Sequence, residues 1–479
     1  MNNKDIEIKS CRLYFRDIKT RVPLKFGSEI TTSVTCARTE ITVCSSNNIT
    51  NTLTSGWGET PLNIAWVWPS SLSYEYRLSR LKEFCIKLSG AWNSCKYKGH
   101  PMEIGKQFIS NELKALWTGD NEGLGDAKEM PWLAALVVNS LFDIAIHDAY
   151  GMYHHVSTWK TYTKEYMNHD LSWYYTKEFE NLFKGKYPGD YLIPEEKVPV
   201  KIPVWHLVGS KDALDDSELT GEEPDDGYPV KLKDWIRRDG LKCLKIKLVG
   251  NDAEWDYRRI VKVGRIALEN QVEHLSADFN CTVTDPVYVC EIYDRLKQDA
   301  PDIFKKILYV EQPFPYDIKA HPIDVRPVSS RVPLFMDESA HDWEYVKIGK
   351  ELGWNGVALK TCKTITGALL SMCWAKEAKM DLMVQDLSNP MLAQIPHVSL
   401  GARAGTIMGV ESNGMQFYPE ASASEAHVHP GLYTRRDGFL DSSTLGKEGF
   451  GYRIKEIFSA STPGPGGSDL NPGSKWLPA

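Results

Sequence analysis

The sequence lacks the features that would place it in several large classes. Ten cysteines are spread over 479 residues and no two stand as Cys-x-x-Cys. Neither a zinc cluster nor a disulfide framework is therefore signalled, and buried free thiols are expected. No uncharged apolar run reaches the roughly 18 residues that a membrane span requires. The opening MNNKDIEIKS has no apolar signal-peptide core. A soluble, cytoplasmic protein without a membrane partner is the expectation. A basic excess is lacking too: 56 Lys and Arg stand against 63 Asp and Glu, a formal charge of -7. That removes the broad cationic face that nucleic-acid binding needs. A small molecule is the expected partner.

At 54.2 kDa the chain exceeds the size at which one hydrophobic core stops growing. Two domains, or a large barrel with additions, are expected. From about residue 5 to 60 the pattern alternates in strand fashion, with RTEITV ahead of the turn-like SGWGETP; this predicts a small antiparallel sheet. In PWLAALVVNSLFDIAIHDAYG, Leu133, Val137, Leu141 and Ile144 fall at helical spacing, with Pro131 near the start and Gly151 at the end. Residues 152–197 are rich in aromatics among Lys and Glu, including Trp159, Tyr162, Tyr174 and Tyr175, and read as an inserted helical segment. It would pack on the core or form a subunit contact.

From Val198 to about residue 430, eight short apolar runs alternate with amphipathic stretches: PVWHLV, CLKIKLV, LSADFN, ILYVEQP, VPLFMDES, GVALKT, DLMVQDL and IMGVES. Strict alternation of this kind predicts a βα-repeat barrel. The acidic stretch KDALDDSELTGEEPDDGYP, residues 211–229, follows the first run. It would emerge on the face where barrel active sites lie, as a solvated loop or as a lid. The tail STPGPGGSDLNPGSKWLPA is too rich in Pro, Gly and Ser to form a core element.

Charged residues stand at the C-terminal ends of five successive apolar runs. Lys245 and Lys247, two apart, share one side of a strand, as do Asp278 and Asn280. Glu311, Asp337 and Lys360 follow. The steps from 247 to 278, 311, 337 and 360 are 31, 33, 26 and 23 residues, near the roughly 31 per unit of an eight-unit barrel. Three carboxylates converging from adjacent strands would repel one another unless a cation joined them. With no His or Cys among them the donors suit a hard ion, Mg²⁺ better than Ca²⁺, with Mn²⁺ also compatible. Lysines on the second and sixth runs would flank that ion from opposite sides. Lys245 and the dication would lower the pKa of Lys247 towards that of a base, while the metal stabilises an enediolate.

The sequence resembles the enolase superfamily, specifically its mandelate racemase and muconate-lactonizing family. RVPLKFG, SGWGETP and SLFDIAIHDAYG resemble its mobile specificity loop, its Gly-Trp-Gly-Glu turn and the last helix of its capping domain. The resemblance implies an α/β fold, a modified TIM barrel over 198–430 closed by an N-terminal α+β cap over 1–151. Residues 431–479 would return to the cap before the tail. By the same resemblance Lys247 and Lys360 are the acid/base pair, assisted by Lys245, and Asp278, Glu311 and Asp337 are the metal ligands. Asn280, Lys363, Glu338 and Lys25 would support the substrate. Asp337 and Glu338 point to opposite sides of a strand, and the family pattern places the ligand at Asp337. A Lys on the sixth strand and no His in DLMVQDLSNP favour the lysine-pair, muconate-lactonizing-like subgroup.

Glu411 and Asn413 of VESNG would face the substrate, without the paired aspartates of dipeptide epimerases. His397 is expected to be structural, and His427 and His429 fall after the barrel. A homo-oligomer is the expected assembly. Racemisation or epimerisation, cycloisomerisation of a lactone, and acid-sugar-type syn elimination of water share the first proton abstraction. Two opposed lysines favour transfer between the faces of one carbon. A Schiff-base aldolase gains nothing from three clustered carboxylates, and a non-catalytic binding barrel would not require the whole set.

Overall fold

In the computed structural model, residues 3–26, 29–47, 52–460 and 476–479 are described. Two long strands rich in β-branched residues, Ile6–Phe26 and Glu29–Ser45, pair antiparallel from Ile6↔Ser45 to Phe26↔Glu29, with register shifts at Ile8/Ser10 and Lys19/Leu24. A third strand, Thr54–Leu62, runs alongside. SGWGETP lies inside this strand and does not form the turn its glycines suggest. Its glycines permit close packing: a Cβ at Gly56 or Gly58 would collide with backbone at Ala149 or Leu141 of the helix Trp132–Tyr153. That helix is long and apolar enough to cross a membrane, but it is buried inside the cap. Asp148 on it accepts hydrogen bonds from the N–H groups of Trp57 (3.0 Å) and Phe450 (2.8 Å), tying the cap sheet to the far end of the chain.

The eight apolar runs form eight parallel strands in sequence order: Lys201–Val208, Cys243–Lys247, His274–Asp278, Ile307–Glu311, Leu334–Met336, Gly356–Leu359, Asp381–Val384 and Val410–Glu411. The eighth pairs with the first, Val410 against Val204, and at the seam between seventh and eighth Ile407 N–H donates to Leu382 C=O at 2.9 Å. The structure is thus a barrel closed by an α+β cap.

Side-chain alternation gives the barrel two layers. Trp205, Cys243, Tyr309, Phe335 and Met383 pack into an apolar floor. Two residues on from the last four stand Lys245, Glu311, Asp337 and Gln385. A single strand period therefore separates the packed floor from the chemistry.

Residues 152–197 are not a helical segment. They form a series of single 3-10 turns and one four-residue α turn, Glu180–Phe183, because Gly185, Pro188, Gly189 and Pro194 interrupt any longer helix. Their aromatics pack inward. Tyr162, Tyr174, Tyr175 and Phe183 are buried, and Tyr175 donates to the Leu370 carbonyl at 2.7 Å, on the helix Ile365–Glu377. After the barrel, Phe439–Asp441 pairs antiparallel with the first barrel strand, and Leu477–Pro478 with the first cap strand. Residues 461–475 of the tail, and Gly27 and Ser28, lie outside the described residues.

Candidate active site

The charged layer comes together at the C-terminal mouth of the barrel. Lys245 Nζ stands among three carboxylates, 2.5 Å from Glu311 Oε1, 2.9 Å from Glu411 Oε2 and 3.2 Å from Asp278 Oδ2. Lys247 donates to Asp278 and, at 2.8 Å, to Asn280 Oδ1. Asn280 in turn donates to Glu338 Oε1 at 2.9 Å. Across the barrel, Lys360 Nζ lies 3.0 Å from Asp337 Oδ2 and donates to the Asp386 carbonyl at 3.1 Å. Lys363 also reaches Asp337, and the Trp66 ring from the cap covers both ammonium groups at 4.9 and 5.6 Å.

The electrostatics follow from burial opposed by pairing. Burial disfavours the Lys245 ammonium, but Glu311, Glu411 and Asp278 outweigh it and hold the group well above its ordinary pKa. Lys360 is likewise raised against burial, chiefly by Asp337. Burial pushes Glu311 well up despite Lys245, since Asp278, Asp337 and Glu411 repel its charge. Burial would raise Asp278 as well, but Lys247 and Lys245 hold it below the usual carboxylate range. Glu338, with burial and the neighbouring Asp337 both acting against ionisation, is pushed up to about 7. Asp278 bridges both ammonium groups of Lys245 and Lys247.

The other expectations fare unevenly. Glu411 and Asn413 line the mouth, but the protein uses them. Glu411 is held by Lys245 and by Asn413 Nδ2 at 2.6 Å, while Asn413 Oδ1 accepts from Leu207 N–H at 3.0 Å. Lys25, on the cap hairpin opposite Ile30, lines neither the mouth nor the cavity beside it. His397 is buried, with Nε2 2.6 Å from the Glu411 carbonyl. His429 is bonded to Thr444 and Tyr452 after the barrel, and His427 is exposed.

Several site residues carried no sequence signal that was used. Gln312 Oε1 accepts from the N–H groups of Asp337 (2.7 Å) and Ser339 (3.2 Å), locking the fourth strand end to the fifth. Gln385 donates to Glu311 and to Tyr309, and Asp386 accepts from Asn413 N–H at 2.7 Å. The rule that found the other strand-end charges applies equally to QDL. Positive φ angles at Asn280 (46°), Gln312 (32°), Thr364 (73°) and Ser388 (52°) mark the ends of the third, fourth, sixth and seventh strands. Such strain collects at functional faces.

The donor set fits a divalent cation in charge and chemistry. Asp278, Glu311, Asp337, Glu338, Asp386 and Glu411 are six buried carboxyls against the four ammonium groups of Lys245, Lys247, Lys360 and Lys363. Two negative charges remain when all are ionised. Glu338 Oε2 is buried without a hydrogen-bond partner among the described residues. The donors are hard oxygens, as Mg²⁺ prefers. Lys245 currently separates the carboxylates, and the space between Trp66, Leu207, Lys247, Lys360 and Asn413 is ≈ 10 Å³, room for about one water or ion.

The structure is thus a TIM-type barrel closed by a cap, with lysines from opposite strands standing over buried carboxylates at its mouth. Residues 229–457 match the family model described as enolase C-terminal domain-like. That match falls just short of half of the chain, and the barrel region is similar to this family's C-terminal domain. Among solved structures, an N-succinyl Arg/Lys racemase from Bacillus cereus ATCC 14579 is similar at 15% identity and a TM-score of 0.60, over 95% of this chain and 98% of that one. A dipeptide epimerase from Enterococcus faecalis V583, complexed with Mg and L-Leu-L-Tyr, is similar at 15% and 0.58 over 93% and 99%. A muconate lactonizing enzyme from Pseudomonas fluorescens, complexed with muconolactone, is similar at 15% and 0.56 over 93% and 95%. No curated protein sequence matches the chain.

Proposed function

We propose that this chain is a soluble, cytoplasmic Mg²⁺-dependent enzyme that removes the proton α to a substrate carboxylate and returns a proton to the opposite face, racemising or epimerising that carbon. The observation that carries this reading is the opposition of Lys247 and Lys360. They end the second and sixth of eight strands, four apart and hence across the barrel, and each contacts a carboxylate of the acidic set. Asp278, Glu311 and Asp337 would hold the ion, for which Mn²⁺ is also suitable. When bound, the ion supplies positive charge that stabilises the substrate carboxylate as it gains electron density.

The chain's own residues do the rest. One lysine, relieved of its proton, takes the α-hydrogen, while the other, held as ammonium, delivers a proton from the far side. Trp66, Leu207 and Leu387 exclude water from the space between them. Because Glu411 and Asn413 are already paired, no free carboxylate on the eighth strand awaits a substrate ammonium. Acids with a blocked or absent α-amino group are therefore favoured.

Incubation with a mixed library of carboxylic acids in D₂O and Mg²⁺, read by mass spectrometry, tests the reading. Incorporation of one deuterium at an α-carbon, lost from one enantiomer in Lys247→Ala and from the other in Lys360→Ala, is the expected result. Turnover of an acid without any solvent deuterium at that carbon would exclude it. Loss of water from the acid would replace racemisation with a dehydratase outcome, and failure to bind Mg²⁺ would favour a non-catalytic barrel.

A further inference from the structure

A second and larger cavity, ≈ 500 Å³, lies beneath the acidic insertion. The cap segment at Arg21, the first barrel strand at His206 and Val208, the insertion at Asp212, and Trp235 with Phe417 form its walls. Along that strand Leu207 faces the barrel site, so its neighbours His206 and Val208 face the other way. The two cavities stand on opposite sides of one strand. The roof is fastened: Asp226 accepts from Arg21 Nε at 2.7 Å and Nη2 at 2.9 Å, and the carbonyls of Tyr228 and Pro229 each accept from Arg21 at 3.3 Å.

The tautomer of His206 is set by its neighbour. Gln416 Oε1 accepts from Leu207 N–H and from Arg435 Nη1, both at 3.2 Å, which fixes Nε2 as the amide NH₂. That NH₂ donates to the Leu207 carbonyl at 2.9 Å and lies 3.4 Å from His206 Nε2. The imidazole Nε2 is therefore the acceptor and Nδ1 carries the hydrogen. Burial, reinforced by Arg435, keeps the ring neutral. Nδ1 is buried, on a side chain only 1% exposed, and meets no acceptor among the described residues. A buried donor at a cavity wall calls for an acceptor.

The rest of the wall calls for a cation. Asp212, Glu218, Glu222 and Glu223 line it; Arg21 is already neutralised by Asp226, which leaves Lys211 as the other lining cation. Glu218 is paired with Lys262, and Glu223 is occupied by the N–H groups of Thr220 and Gly221, at 2.6 and 2.9 Å. Asp212 accepts from Gly209 N–H at 2.7 Å through one oxygen. A bare metal ion would answer the carboxylates and leave the imidazole donor unpaired. A simple carboxylic acid would answer the donor and be repelled.

We propose that this cavity binds a small amino-acid-like zwitterion, separately from the barrel site. A carboxylate or amide oxygen of the ligand accepts from His206 Nδ1–H, its ammonium group lies beside Asp212 and Glu222, and an apolar side chain packs on Trp235 and Phe417. Since cap, insertion and barrel all contribute walls, the occupant fastens the cap to the barrel.

Calorimetric titration of the full chain without added metal tests this, using free amino acids with apolar side chains, their N-acetyl derivatives, the matching amines, and Mg²⁺ alone. The free amino acids bind, while the N-acetyl forms and amines bind about tenfold more weakly or not at all. His206→Phe and Asp212→Asn each weaken binding about tenfold, and Lys247→Ala, which disables only the barrel site, leaves it unchanged. The two substitutions sit on separate elements, so one that fails to fold leaves the other to decide. Absence of amino-acid binding overturns the proposal, as does binding that survives both substitutions or disappears in Lys247→Ala.

Discussion

Lys247 and Lys360 face each other across the barrel, yet they are held by different means. Lys247 ends a regular strand and contacts Asp278 and Asn280, both from the next strand's end. Lys360 precedes a 3-10 turn, Thr361–Lys363, and Thr364 at φ 73°, which caps the helix Ile365–Glu377. The cap holds the first turn of that helix. Asp143 accepts from Thr366 N–H at 3.0 Å and from Thr366 Oγ1 at 2.7 Å. Since that hydroxyl donates to Asp143, it accepts from His147 Nε2 at 3.1 Å, and His147 Nδ1 accepts from Tyr162 of the aromatic insertion at 2.8 Å. The contacts described for Lys247 thus come from the barrel, whereas the helix that follows Lys360 is tied to the cap and the insertion together. The cap does more than cover the site: it anchors the helix that follows Lys360.

The sharpest test of this contrast is stereochemical. Lys247→Ala and Lys360→Ala should each lower turnover by roughly 10²–10⁴-fold, and each should still exchange the α-proton of one enantiomer only, the opposite one for each variant. Equal loss of exchange from both enantiomers in either variant would break the comparison. Thr366→Val comes next. It should reduce exchange on the Lys360 side about tenfold through misplacement while leaving the Lys247 side near the wild-type rate, measured enantiomer by enantiomer. A uniform decrease would mean that the relay supports only the fold.

Tyr162→Phe removes one buried hydrogen bond. It should cost about 1 kcal/mol in urea unfolding, with a smaller kinetic effect confined to the same side. An unchanged midpoint would detach the insertion from the relay.

The smallest effect is on pH. Burial pushes Asp143 from 3.8 to about 6, although Thr366 opposes the shift. A group raised on folding contributes stability below its unfolded pKa and loses it as pH rises through the folded value. Stability should therefore fall between about pH 4 and pH 6, and Asp143→Asn should flatten that part of the curve. An unaltered slope in the variant would assign the titration elsewhere.

Much of the barrel was legible because alternation with period two marks both strand and facing. Once CLKIK is a strand, Cys243, Lys245 and Lys247 must share a side, and the same rule places Glu311 above Tyr309. The cap helix was legible from its 3.6-residue spacing. The aromatic insertion was misread because aromatics at irregular intervals resemble a buried helix until Gly and Pro cut it into single turns. Lys25 was chosen from RVPLKFG, and in the same segment Arg21 bonds Asp226 of the acidic insertion. Trp66 and Gln312 were hidden for another reason. An indole or an amide carries no charge, and its role appears only when strands distant in sequence converge.

The bridge from Asp148 to Trp57 and Phe450 also bears on the order of assembly. A carboxylate in the first third of the chain completes its bonding only when residue 450 arrives, 302 positions later. At ribosomal rates of about 5–20 residues per second, some 15 to 60 s separate the two. The cap is translated first and finishes last, so the nascent chain must carry its apolar helix, Trp132–Tyr153, through that interval with part of its polar anchoring still missing.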